Sequence, residues 1–122
     1  MLNVQTRQEG ETVVLTIQGK VDSESTAHLR AVIHGTIDSL HPKQLVVNLE
    51  GVTFIDSAGL GLLVAAHHNL GKVKVKFHLC ELPPQVKKTF EETYLVNYFS
   101  IFATEPDAFR GEGSPPDPAD LE

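Results

Sequence analysis

At 122 residues, with 41% hydrophobic and 21% charged content, the chain has the size and composition of one globular domain with a core of its own. Its formal charge of −6 sits mostly at one end: residues 1–103 carry 9 Lys/Arg against 10 Asp/Glu and residues 104–122 carry 1 against 6, so the folded part lacks the basic surface a nucleic acid needs. No apolar run approaches the ~20 residues of a membrane span, no basic-then-apolar signal pattern opens the chain, and the single Cys80 excludes an internal disulfide and a cysteine-rich zinc site; a cytoplasmic protein without membrane insertion is expected.

In chain order, Leu2, Val4 and Thr6 alternate with polar residues, Glu9-Gly10-Glu11 turns the chain, and Val13, Leu15 and Ile17 alternate again. This predicts an amino-terminal β-hairpin with one buried face. Residues 19–25 read as a loop. A helix follows over Thr26 to Leu40, with Leu29, Val32, Ile33, Ile37 and Leu40 on one stripe, Asp22 or Ser23 as its cap and Pro42 beyond its end. The continuous apolar run Leu45 to Leu49 belongs in the centre of a sheet.

Val52 to Gly61, V-T-F-I-D-S-A-G-L-G, reads as a buried strand, a short polar turn and the start of a helix running through Leu70, with Ser57 at or near the N-cap. Two glycines in the first turn, Gly59 and Gly61, are each unfavourable by roughly 1 kcal/mol relative to Ala. Either something approaches that backbone closely, or the glycines let the helix lie tight on its own sheet. Next, Val73 to Cys80 alternates apolar residues with Lys74, Lys76 and His78, which predicts a strand with one solvated face. Helices are therefore expected mainly on one face of the sheet, with the other partly wet. Cys80, ending an apolar strand, reads as a buried inert thiol.

Pro83-Pro84 opens a third helix through Thr93, with Val86 and Phe90 inward, and a short strand over Tyr98 to Phe102 closes the fold. Residues 110–122 are acidic and rich in Pro and Gly with little apolar to bury, and a disordered tail is expected there. The crossovers between the later strands predict parallel pairing.

Enzyme chemistry can be tested directly on the residues. A serine hydrolase elbow needs glycine two positions before the serine, and Ile55 stands there. No phosphate-cradling Gly-x4-Gly-Lys-Ser/Thr loop is present. His67 and His68 are about 100° apart on a helix, whereas shared metal ligation uses i and i+4, so no metal is expected.

Phe54-Ile55-Asp56-Ser57-Ala58-Gly59-Leu60-Gly61 resembles the signature of the STAS domain, and specifically that of the bacterial anti-sigma factor antagonists. Gly19-Lys20-Val21-Asp22, Thr26-Ala27 with Leu29-Arg30, and Asn48-Leu49 resemble further family segments, so the likeness covers residues 1–109. Its implied fold is an α/β open mixed sheet: an N-terminal β-hairpin, then βαβαβ-like crossovers. One departure is Tyr94-Leu95, where the family commonly has Gly-Leu; an altered turn is expected there.

The resemblance implies a non-enzymatic regulator with no cofactor, in which Ser57 is phosphorylated by an anti-sigma factor, a serine kinase of the GHKL type, and restored by a PP2C-type phosphatase. Asp22 and Asp56 match family acidic residues beside the phosphoacceptor. With Ser57, Gly59, Gly61 and Leu62 they make up the expected partner-binding surface, while Leu60, Leu63 and Val64 are assigned to the core. The alternative reading of Ser57 is a plain N-cap. A monomer is expected. The alternative from another class is a constitutive STAS subunit of a bacterial ABC-type lipid transporter.

Overall fold

The computed structural model describes residues 2–111. Strands β1 (Leu2–Glu9) and β2 (Thr12–Val21) form the expected hairpin, joined by Gly10-Glu11 with Gly10 at φ 62°. The chain continues through α1 (Thr26–Leu40), β3 (Gln44–Ile55), α2 (Ser57–Lys72), β4 (Lys76–Cys80), α3 (Pro84–Glu92), β5 (Ser100–Phe102) and α4 (Glu105–Arg110). The sheet order is β1-β2-β3-β4-β5, antiparallel at the hairpin and parallel elsewhere, with β3 in the centre as its apolar run requires.

Alternation along the strands divides the core. Val13, Leu15, Ile17, Leu45, Val47, Leu49, Phe77 and Leu79 face one side, where they pack with Leu29 and Ile33 of α1, Leu63 and Leu70 of α2, and Val86 and Phe90 of α3. Val14, Val46 and Cys80 face the other side and are fully buried against Ala108 of α4. Three helices thus cover one face and the fourth covers part of the opposite one. Burial pushes the Cys80 thiol up to about 12, so it is inert as expected.

The expectation of a wet strand face needs correction here. The last strand before α3 begins at Lys76, not Val73, because Val73 and Lys74 form a turn with Lys74 left-handed at φ 62°. His78 is only 7% exposed, since α4 lies over it. A disordered tail was expected from residue 110, but Arg110 ends α4 and Gly111 caps it at φ 72°; the rest of that expectation, residues 112–122, lies outside the described residues.

A short helix with one buried residue, Ala108, has little apolar area to hold it, and polar tethers do the rest. Gln44 donates to the Phe109 carbonyl (2.8 Å), Asn48 to the Glu105 carboxylate (2.9 Å), and the Glu81 carboxylate accepts from the Glu105 backbone N–H (2.8 Å). His78 reaches the Ala108 carbonyl through Nδ1 at 2.9 Å, so that nitrogen must carry the proton.

Burial holds the His78 pKa below its usual 6.5 despite the bond to Ala108, with Lys76 and His67 adding repulsion. The neutral ring is thus the folded form, and its contribution is complete above pH 6.5 and lost as the pH falls below it. Burial of Glu105 disfavours its charge, but the bonds from Asn48 and Arg7 outweigh this and lower its pKa, a contribution that persists above 4.5 and fades at more acid pH. Unfolding free energy measured by denaturant titration should therefore begin to fall once the pH drops below 6.5. His78→Gln, which keeps a donor without a charge, should flatten the part of the slope that precedes carboxylate protonation.

The turn after α3 keeps the geometry that glycine would favour. Tyr94 sits left-handed at φ 61°, its N–H bonded to the Glu91 carbonyl and that of Leu95 to Phe90, the paired bonds of a Schellman ending. The expected alteration is absent. Tyrosine occupies a conformation that is unfavourable by roughly 1–2 kcal/mol for a residue with a Cβ.

Candidate functional site

The site lies where the carboxyl ends of β2 and β3 meet the amino end of α2. β3 carries an extra residue against β2 twice, between the pairs Thr16↔Asn48 and Gln18↔Gly51 and again between Gly19↔Val52 and Lys20↔Phe54. These shifts carry both strands beyond the expected loop boundary at residue 19 and pair Val21 with Ile55. The next residues on each strand, Asp22 and Asp56, therefore emerge side by side, and the Asp56 N–H bonds the Val21 carbonyl at 3.2 Å.

Asp56, not Ser57, caps α2. Its backbone is extended (φ −111°, ψ −173°), and Oδ1 accepts from the Gly59 N–H at 3.0 Å. At this position aspartate also brings an anion to the positive helix end. Ser57 is displaced to the first helical position, exposed, and its hydroxyl has no hydrogen-bond partner among the described residues. The plain-cap reading of Ser57 is thereby removed.

Asp22 is not the cap of α1 either. Its Oδ1 accepts from the N–H groups of Glu24 (3.0 Å) and Ser25 (3.1 Å), and its own N–H donates to Ser25 Oγ (2.9 Å). Ser25 takes the N-cap position without a side-chain capping bond and donates its hydroxyl to the Lys20 carbonyl at 2.8 Å. This interlocked turn fixes Asp22, half-buried, beside the start of α2.

The two glycines separate. A Cβ on Gly59 would lie 2.3 Å from the Val21 carbonyl oxygen and 2.8 Å from Val21 Cγ1, so Gly59 lets the helix close on the end of β2. Gly61 faces open space, with nothing within 4 Å of a Cβ built there. Gly59 therefore belongs to the fold, and Gly61 leaves helix backbone uncovered.

Leu62 corrects the expected surface. It is 5% exposed and in the main core. Its spacing to Gly59, Leu63, Ala66 and Leu70 follows the pattern that places residues on one helical stripe, and that stripe faces inward. Phe54, read from the sequence as part of a buried strand, is instead 48% exposed. After the second register shift, Thr53 and Phe54 both face outward between buried Val52 and Ile55, a break in alternation that simple period-two reading passes over.

Among the described residues, no group of three His, Cys, Asp or Glu side chains is arranged to hold a metal. His67 packs edge-on to Tyr98 and Phe99 (ring centroids 4.9 and 5.5 Å), and His68 is exposed.

The STAS domain model matches residues 3–108. The chain belongs to the STAS domain family. It is 32% identical over 81 residues to an anti-sigma F factor antagonist of Lysinibacillus sphaericus, covering 66% of this chain and 69% of that protein. It is also 32% identical over 98 residues to the anti-sigma-F factor antagonist RsfB of Mycobacterium tuberculosis, covering 80% and 79%. A solved anti-sigma factor antagonist from Mycobacterium paratuberculosis shares the fold at a TM-score of 0.82 and 24% identity, over 90% of this chain and 92% of that one. The phosphorylated form of the Bacillus cell fate determinant SpoIIAA superposes at 0.67 with 28% identity, over 88% and 97%.

For a STAS domain of this kind, the site's physical character is a projecting hydroxyl on a positive helix end, two flanking carboxylates, an exposed aromatic ring and a patch of bare backbone. None of the described residues near Ser57 supplies a general base hydrogen-bonded to its hydroxyl.

Proposed function

We propose that this STAS domain is an anti-sigma factor antagonist, a regulator without catalytic activity of its own. Unphosphorylated, it binds an anti-sigma factor that is also a serine kinase and frees that kinase's client; phosphorylated on Ser57, it is released. A PP2C-type phosphatase resets it. These partners place it in the cytoplasm, acting as a monomer against the kinase, and no helix among the described residues is long and apolar enough to cross a membrane.

The observation that carries this reading is the position of Ser57: exposed, unbonded among the described residues, and one residue past the cap. Because Asp56 already performs the capping, the Ser57 hydroxyl is available to a kinase without loss of a structural bond. The relatives' names support the binding role, and the phosphorylated SpoIIAA neighbour supports a modification compatible with this fold. The test is the appearance of one phosphate on Ser57 after incubation with the partner kinase and ATP.

The position of Ser57 supports a modification that acts at the interface and not on the fold. Helix α2 has no acidic residue in its first turn, and a phosphate there adds ~1.5–2 negative charges to a favourable position. A partner seated over Ser57 would bury that charge alongside Asp22 and Asp56, where like charges are costly.

A further inference from the structure

At the opposite end of α2, a cleft of about 430 Å³ opens between the helix's last turn and the start of β4, lined by His67, Lys74, Val75, Lys76, Phe77 and Ser100. Phe77 and Val75 give it an apolar floor and the two lysines a cationic rim. Lys72 lies exposed close by in sequence, and none of these three lysines has a carboxylate partner among the described residues. Lys74 is held left-handed at φ 62°, where Gly or Asn would be more favourable, so the loop keeps an ammonium group at a strained position.

The described chain ends beside His78. A Cβ on Gly111 would lie 3.3 Å from His78 Cε1, and His78 also lines the cleft. His78 pairs with Ser100 on β5 and lies two residues from Lys76 on the same strand face, about 7 Å along β4. From Gly111 the sequence continues with Glu112, Asp117 and Asp120 and contains no Lys or Arg. Asp117 is six residues on and Asp120 nine, a reach of about 19 and 28 Å at the ~3.1 Å per residue of a proline-rich chain. Both comfortably span a cleft whose edge is the exit point.

We propose that the acidic segment 112–122 docks into the basic cleft of its own chain, its carboxylates on Lys74 and Lys76. Exit point, reach and charge all point to this occupant. The contact lies sixteen residues of helix from Ser57, about 24 Å. It therefore leaves the Ser57 surface open and stands or falls separately from the switch.

The test uses the full chain with Ala119→Cys carrying a nitroxide; native Cys80 is buried and its thiol too basic to compete for the label. Amide resonances of Lys74, Val75 and Ser100 should be selectively broadened at low salt. The broadening should be lost at about 1 M NaCl, where screening acts within ~3 Å, and in the Lys74→Glu/Lys76→Glu variant. As a label-free check, Glu112→Gln/Asp117→Asn/Asp120→Asn should shift the Lys74 and Val75 amides while leaving residues 54–61 in place. Broadening that survives both salt and charge reversal, or shifts confined to residues beyond 108, would overturn the proposal. Broadening seen only when labelled and unlabelled chains are mixed would assign the tail to a second copy and overturn it equally.

Discussion

Ser57→Asp should weaken binding to the partner kinase by about a hundredfold or more, while Ser57→Ala should bind within a few-fold of the native chain and resist release by ATP. The hydroxyl of Ser57 is exposed and unbonded among the described residues, so removing it costs the free protein nothing structural. A carboxylate at the first position of α2 faces the positive end of the helix, favourable by about 0.3–1 kcal/mol, and the variant should melt no lower than the parent. In the complex the added charge is desolvated between Asp22 and Asp56, a cost of several kcal/mol at an interface. At 1.4 kcal/mol per decade, about 3 kcal/mol already gives the hundredfold loss. Titration calorimetry against the kinase measures the ratio directly. Equal affinity of Ser57→Asp and native chain would mean that the partner does not cover the start of α2.

Gly59→Ala should destabilise the domain by about 3 kcal/mol, whereas Gly61→Ala, two residues away, should stabilise it by roughly 0.5–1 kcal/mol. At Gly59 the new methyl meets a backbone oxygen at 2.3 Å, as well as Val21 Cγ1 and Ile55 Cγ1 at 2.8 and 2.9 Å. A side-chain tip could swing away from such a clash, but the Val21 carbonyl cannot, because it accepts the Asp56 N–H that joins the two loops. Relief requires lifting α2 from β2, which pulls both Asp56 and Ser57 out of place. At Gly61 the methyl meets nothing and the helix gains the propensity difference. The same methyl stands where a docking partner would contact bare backbone, and its overpacking there should weaken kinase binding about tenfold. Thermal melts of the two variants, read beside their affinities, separate the glycine that builds the site from the glycine that presents it. A Gly59→Ala variant as stable as the parent would contradict the close packing of α2 on Val21.

Much of this was legible in the residues because strong local signals coincide. The stripe of Leu29 and Ile33, the continuous run at Leu45 to Leu49, and Pro83-Pro84 before Val86 and Phe90 each specify one element, and each element forms where it is expected. The carboxylate and hydroxyl of the central turn were recognisable as a pair, but which of them caps the helix was not. Both Asp and Ser are good N-caps, and only the register of β3 against β2 decides between them. Leu62 was misplaced because α2 presents a wide apolar stripe whose edge cannot be located without knowing what it packs on. Phe54 was hidden by the same bulge that brings Asp22 and Asp56 together.

Helix α4 was missed for a different reason. Its signals are present, with Thr104 as a cap, Pro106 in the first turn and Gly111 at the end. Six residues, however, show too little periodicity to be separated from a loop. What fixes it is long-range: the bonds from Gln44, Asn48, His78 and Glu81 cross 24 to 65 positions of sequence. Of those side chains only His78 was assigned to a face from the sequence, as part of a solvated strand face.

The most direct test of the phosphorylation switch is intact-mass spectrometry of the protein after incubation with its partner kinase and ATP, followed by peptide mapping. A single gain of about 80 Da, located on Ser57 and absent from Ser57→Ala, is the expected result. A stable complex with the kinase that leaves the mass of the chain unchanged, or a phosphate placed on any other residue, would contradict the assignment of Ser57 as the switch.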